Sequence, residues 1–136
     1  IIANGTLNTW VQLNLINTSL TFNKDDVFFM YRDEIFLGDK NTGIFLVNCS
    51  FNSDGATNDD LGLKISYLSN SVEYDSSVCK WNSKGGNTWS INHSAILHVD
   101  KKASLTDGMV RFYTINYTDS VNFNISNLNI NIIRLL

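Results

Sequence analysis

From residue 103 to the C-terminus the chain reads ASLTDGMVRFYTINYTDSVNFNISNLNINIIRLL, and its hydrophobic spacing fixes what this stretch can become. Val121, Phe123 and Ile125 alternate with Asn122, Asn124 and Ser126, the period of a half-buried strand. After Ser126 the phase slips: Leu128, Ile130 and Ile132 carry the apolar face between Asn127, Asn129 and Asn131. A one-residue slip turns every later side chain over, so a β-bulge is expected near Ser126 and Asn127. Upstream, Met109 to Tyr117 is apolar or aromatic at almost every position and reads as a strand covered on both faces. The two form a closing pair of strands.

The same period recurs through the chain, and nowhere do apolar residues hold helical spacing for three turns. Val11, Leu13 and Leu15 begin it, and Leu20 and Phe22 run toward a turn at Asn23-Lys24-Asp25-Asp26. Val27–Tyr31 and Ile35–Leu37 are short apolar runs separated by Arg32-Asp33-Glu34 and could be one bulged strand. Gly38 to Gly43 is a turn, Ile44 to Phe51 a strand with odd positions apolar, and Asn52 to Asp60 the longest polar loop. Leu61, Leu63, Ile65 and Tyr67 alternate before a tight connection at Ser69-Asn70 to Val72 and Tyr74. Val78–Trp81 and Thr88–Ile91 flank a Gly85-Gly86 turn suited to a hairpin end, and Ala95, Leu97 and Val99 follow. About nine or ten short strands without a linker or repeat predict one all-β domain over residues 1–136, a sandwich, barrel or jelly roll.

At 136 residues, with 43% hydrophobic content, such a domain can bury a core without staples. A net charge of −3, with Lys and Arg scattered, argues against nucleic acid and against an anionic membrane surface. No apolar run approaches the roughly 20 residues of a membrane helix. Ile1-Ile2-Ala3 has no starting Met, as expected of a processed product or excised domain. Cys49 and Cys79 could form one disulfide, or stay as two free thiols with Cys49 in the core. Six Asn-x-Ser/Thr sequons, at Asn4, Asn17, Asn48, Asn92, Asn116 and Asn124, compare with about three expected by chance and are read as mostly compositional.

Chemistry-bearing constellations are sparse. His93 and His98 fall on opposite faces of one strand and cannot share a metal. The pairs Asp25-Asp26, Asp33-Glu34 and Asp59-Asp60 sit in turns, where Asp is favoured for local hydrogen bonding. Asn52, Asp54, Asn58, Asp59 and Asp60 offer oxygens to a hard cation, but at spacings unlike an EF-hand, and a plain polar loop accounts for them. No enzyme and no cofactor is expected. The best recognition candidate is the stretch from Tyr74 to Trp89. There Trp81, Asn82, Lys84, Asn87 and Trp89, with Tyr74, combine indole faces and amides as sugar stacking and hydrogen bonding require. The competing reading packs both Trp residues in the core or at a subunit interface.

Thr42-Gly43-Ile44-Phe45-Leu46-Val47, Leu105-Thr106-Asp107-Gly108-Met109-Val110-Arg111-Phe112 and Ser126-Asn127-Leu128-Asn129-Ile130 together resemble the tumour-necrosis-factor-like and complement globular-head jelly rolls. Met109 stands where those proteins usually have Asp. The resemblance implies a two-sheet antiparallel β-sandwich of about ten strands with jelly-roll topology and a homotrimeric head, of the kind that bacterial and bacteriophage fibres carry at their tips. The expected role is binding of a cell-surface glycan or protein receptor by the C-terminal head of a longer extracellular, cell-surface or virion protein. One alternative is a pilus or coat subunit that donates Leu7–Ile16 to a neighbour; another is a secreted viral or host glycoprotein. In a trimer, one face of Met109–Tyr117 should pack on neighbouring subunits.

Overall fold

The computed structural model describes residues 2–3, 6–15, 19–22, 28–31, 34–37, 43–69, 72–99 and 109–136. Its strands are β1 (Ile2–Ala3), β2 (Val11–Gln12), β3 (Ser19–Phe22), β4 (Phe28–Tyr31), β5 (Glu34–Leu37), β6 (Gly43–Asp54), β7 (Asp60–Ser69), β8 (Val72–Asp75), β9 (Cys79–Asn82), β10 (Trp89–Val99), β11 (Met109–Asn116) and β12 (Phe123–Arg134). They form two sheets, as the alternation requires. The first runs β1-β12-β6-β10, with β3 also on β12; the second runs β4-β5-β11-β7-β8, with β2 on β11 and β9 on β7. Every pairing between strands is antiparallel except that of β3 with β12. The expected all-β jelly-roll sandwich is the architecture found.

Period-two patterning explains the core. Phe45, Val47, Cys49 and Phe51 of β6 point inward beside Phe123, Ile125, Leu128, Ile130 and Ile132 of β12. Across from them lie Leu61, Leu63, Ile65 and Tyr67 of β7, with Val110 and Phe112 of β11. Phe45, Phe112 and Phe123 are fully buried, and each contributes about 1.5–3 kcal/mol relative to exposure.

The bulge lies where the phase slip placed it. The β12–β6 register jumps between Ser126 and Asn129, and Asn127 adopts φ 52°, a left-handed conformation that Asn tolerates better than most residues. That one extra residue keeps Ile125 and Leu128 on the same side.

Four expectations change. The closing strands do not pair with each other: β11 lies in the second sheet and β12 in the first, so residues 117–122 cross the sandwich. Phe28–Tyr31 and Glu34–Leu37 are two antiparallel partners rather than one bulged strand. The outward face of β11 finds cover within its own chain: Ile115 is buried, while Arg111 and Tyr113 are half-buried under Glu73 of β8. The turns expected at residues 23–26 and 38–42 lie outside the described residues. The N-terminal stretch proposed as a donor strand completes its own sheet instead. Leu13 and Leu15 are buried, and the Leu13 N–H donates to the Phe112 carbonyl at 2.7 Å.

The outward face of the first sheet is ruled into cross-strand rungs. Ile133, Leu46 and Ile96 form one; Asn131, Asn48 and Ser94 the next; then Asn129, Ser50 and Asn92; then Ser126, Asn52 and Ser90. Ser90 donates to Asn52 at 3.0 Å and Ser94 to Asn48, so the polar rungs are tied side chain to side chain. β10 forms the edge of this sheet among the described residues.

Candidate functional site

Three connections gather at one end of the sandwich: residues 55–59 between β6 and β7, residues 83–88 between β9 and β10, and residues 117–122 between β11 and β12. The first two are zipped together. Ser83 N–H donates to the Asp59 carbonyl at 2.9 Å, the Asp59 N–H donates to Ser83 Oγ at 2.9 Å, and Asn58 N–H donates to the Ser83 carbonyl at 2.9 Å. Asn58 Oδ1 then accepts the Gly85 N–H at 3.0 Å. Gly85 and Gly86 sit at φ 71° and 67°, which is why this turn carries two glycines.

The third connection is bolted on by Asn116, which has no exposed surface. Its Nδ2 donates to Asp59 Oδ2 at 2.9 Å and to the Val121 carbonyl at 3.2 Å. Its Oδ1 accepts the N–H groups of Thr118 and Asp119, both at 3.0 Å, an Asx turn that bends the chain toward β12. Asn116 thus holds its amide inside the fold, and its sequon presents no acceptor at the surface.

The polar loop read as a possible cation site works as a set of separate latches. Asp54 accepts from Asn124 at 2.9 Å, Asp59 from Asn116, and Asp60 Oδ1 from Asn82 at 2.8 Å. These carboxylates each bind a different strand or loop, and among the described residues no group of three or more metal-binding side chains converges.

The six recognition candidates are dispersed. Gly85-Gly86 does not close a hairpin, because β9 pairs with β7 in one sheet and β10 with β6 in the other. Trp81 points into the core, edge-on to Phe51 and Phe123 at ring-centre distances of 5.4 and 6.3 Å, with Nε1–H donating to Ser53 Oγ at 3.2 Å. Its competing, structural role is therefore real. Trp89 begins β10 opposite Ser53 and is 39% exposed. Lys84 and Asn87 are exposed in the crossing turn. Tyr74 pairs with Tyr67 whereas Trp81 pairs with Leu61. Six residues of β7 separate those pairs, roughly 20 Å at strand rise, so Tyr74 belongs to another part of the surface.

Around Asn82 the structure assembles a recess that the sequence did not reveal. Asp60, Lys80, Trp81 and Tyr117 line a space of about 360 Å³. The Lys80 ammonium lies 4.8 Å from the centre of the Tyr117 ring, and Trp10 meets that ring edge-on at 6.3 Å. Gly62, opposite Lys80 on β7, lets Tyr117 pack close beside the recess: a Cβ there would come within 2.9 Å of Ile115 Cγ2 and 3.1 Å of Tyr117 Cε2. One signal for Lys80 and Asn82 was available, since period two across β9 puts both on the face opposite Trp81. Asp60 and Tyr117 lie far from them in sequence and gave none.

The considered disulfide is not formed; Cys49 and Cys79 are free thiols. Cys49 points inward from β6, opposite His93 of β10, and burial pushes its thiol up to about 12. Cys79 turns its Sγ toward the Asn92 carbonyl at 3.9 Å and is also raised by burial. His93 and His98 fall on opposite faces, as expected: His93 is half-buried and held below the usual imidazole value by desolvation, while His98 is exposed.

No protein-family model and no curated protein matches the sequence. Among solved structures, murine APRIL at pH 8.5 aligns with a TM-score of 0.49 at 10% identity, over 72% of this chain and 73% of APRIL. The crystal structure of murine APRIL at pH 5.0 aligns with a TM-score of 0.56 at 8% identity, over 91% of this chain and 96% of APRIL. APRIL is a jelly roll of the tumour-necrosis-factor family, so the chain shares the fold that its sequence motifs resembled.

Proposed function

We propose that this chain is a non-enzymatic receptor-binding head that acts outside the cell as a homotrimer, associating through the outward face of its first sheet. The observation that carries this reading is the Ile133–Leu46–Ile96 rung. It sets an apolar row on a flat sheet face, with Ile96 69% exposed. Asp54 is the sole formal charge among the outward residues of β6, β10 and β12, so like copies can approach without repulsion. Burial of Ile96 and its neighbours supplies the drive, and the Asn and Ser rungs supply hydrogen bonds that fix register.

Binding would then fall to the crossing loops, which β7, β9 and the Asn116 bolt hold rigid. Sedimentation velocity at micromolar concentration tests the assembly: three copies are expected for the native chain and one copy for Ile96→Asp, with unchanged far-UV circular dichroism. A native chain that sediments as a monomer overturns the reading.

A further inference from the structure

The recess beside Gly62 has a chemistry that selects its ligand. Asp60 Oδ1 is held by Asn82 Nδ2 at 2.8 Å, which orients the carboxylate. Its Oδ2 has no partner among the described residues and remains free to accept. The backbone around Asp60 is fixed as well, with its N–H donating to Thr118 Oγ1 at 2.9 Å and its carbonyl accepting the Tyr117 N–H at 2.8 Å. Lys80 contributes an ammonium and Tyr117 a half-buried ring. One carboxylate and one ammonium leave the recess without net charge, which disfavours phosphate, sulfate or a cationic ligand. The space is at the small end of ligand sites, room for one ring rather than an extended molecule.

We propose that this recess binds a single neutral pyranose unit of a glycan. A pyranose ring has an apolar C–H face bordered by hydroxyl groups that both donate and accept. The Lys80 ammonium lies over the Tyr117 ring, so the sugar's C–H face would take its place there as the exposed Lys80 swings out to donate to one hydroxyl, while Asp60 would accept from one or two others. Trp81 borders the site but is anchored in the core, so it shapes the wall and does not swing to meet the ligand. The inference rests on the reading of the chain as a recognition head for its biological sense, yet the chemistry of the recess stands within one subunit.

The test is ¹H–¹⁵N correlation NMR of the full chain titrated separately with the methyl glycosides of β-galactose, α-mannose and α-glucose. At least one is expected to produce saturable shifts at the amides of Gly62, Lys80, Asn82 and Tyr117, with a dissociation constant on the order of millimolar. Asp60→Ala should weaken that binding about tenfold, by removing hydrogen bonds to a charged acceptor, while the melting temperature holds. Lys80→Met, on an exposed residue, should weaken it about threefold and serves as the second variant if Asp60→Ala unfolds. No shift at these amides with any of the three sugars, or equal binding by both variants, overturns the inference. Sedimentation of the same samples separates the two readings. A trimer that binds no sugar removes the pyranose site and leaves the head, and a monomer that binds one does the reverse.

Discussion

Replacing Asn116 with Ala should be the most damaging single polar change in this domain, and its cost can be worked from the contacts. The native amide makes four hydrogen bonds, one of them to the Asp59 carboxylate, which is only 5% exposed. Losing the bond to that charge costs about 2 kcal/mol, and losing the acceptor for Thr118 and Asp119 costs about 1 kcal/mol each, for roughly 4 kcal/mol in all. For a domain of this size that lowers the melting temperature by about 14 °C. Urea unfolding followed by tryptophan fluorescence measures it. Asn116→Asp alone should be at least as harmful, since a carboxylate would then face a carboxylate across 2.9 Å. The swap Asp59→Asn with Asn116→Asp restores one donor and one acceptor to the same gap and should regain at least half of the loss. A cost below about 1 kcal/mol for Asn116→Ala, or a swap no better than Asn116→Asp alone, would refute the assignment of Asn116 as the bolt that holds the 117–122 connection.

Three other outcomes follow from local geometry. Asn127→Gly should raise stability by a few tenths of a kcal/mol, and Asn127→Val should lower it by about 1–2 kcal/mol, because the bulge needs φ 52°; thermal melts resolve both. Cys49 should resist alkylation by iodoacetamide at pH 8 in the folded chain and react fully in urea, since its thiol is pushed up to about 12; mass spectrometry counts the adducts. His93 is held below its usual value near 6.5, so the folded state binds fewer protons there than the unfolded chain. Its contribution is complete above that value and is lost as pH falls through it toward the folded one, so His93→Gln should flatten the pH dependence of the urea midpoint in that window.

Much of the fold was legible because strands advertise their buried face. The slip between Ile125 and Leu128 located a bulge to within a residue, and Phe45 to Phe51 alternated as a one-sided strand must. Sheet membership was not legible. Gly85-Gly86 signals a turn, yet nothing local distinguishes a turn that returns along its neighbour from one that crosses to the opposite sheet, and the same ambiguity hid the separation of β11 from β12. Phe28–Tyr31 and Glu34–Leu37 failed for a related reason, since a two-residue gap suits a bulge or a reversal equally well. The site suffered most. Trp81 drew attention by residue type although its place is the core, whereas Asp60 looked like a solvated turn carboxylate until Asn82 and Tyr117, 22 and 57 positions away, were brought beside it.

The place of β10 at the border of its sheet, among the described residues, has a further consequence for handling and for the cell. Natural sheets usually blunt an exposed border with lysine, proline or a bulge. β10 spans eleven residues, Trp89 to Val99, with neither a proline nor a charged side chain, and pairs without interruption along its whole length with β6. Among the described residues no strand covers its outer border, and apart from the Asn92 carbonyl, which faces Cys79 Sγ, that border is a template for an extended peptide. Crowded nascent copies would compete to zip border to border, a route that ends in stacked sheets. The order of events during synthesis then matters: concentrated preparations should favour disordered polymer, and slow dilution from denaturant should favour the finite species.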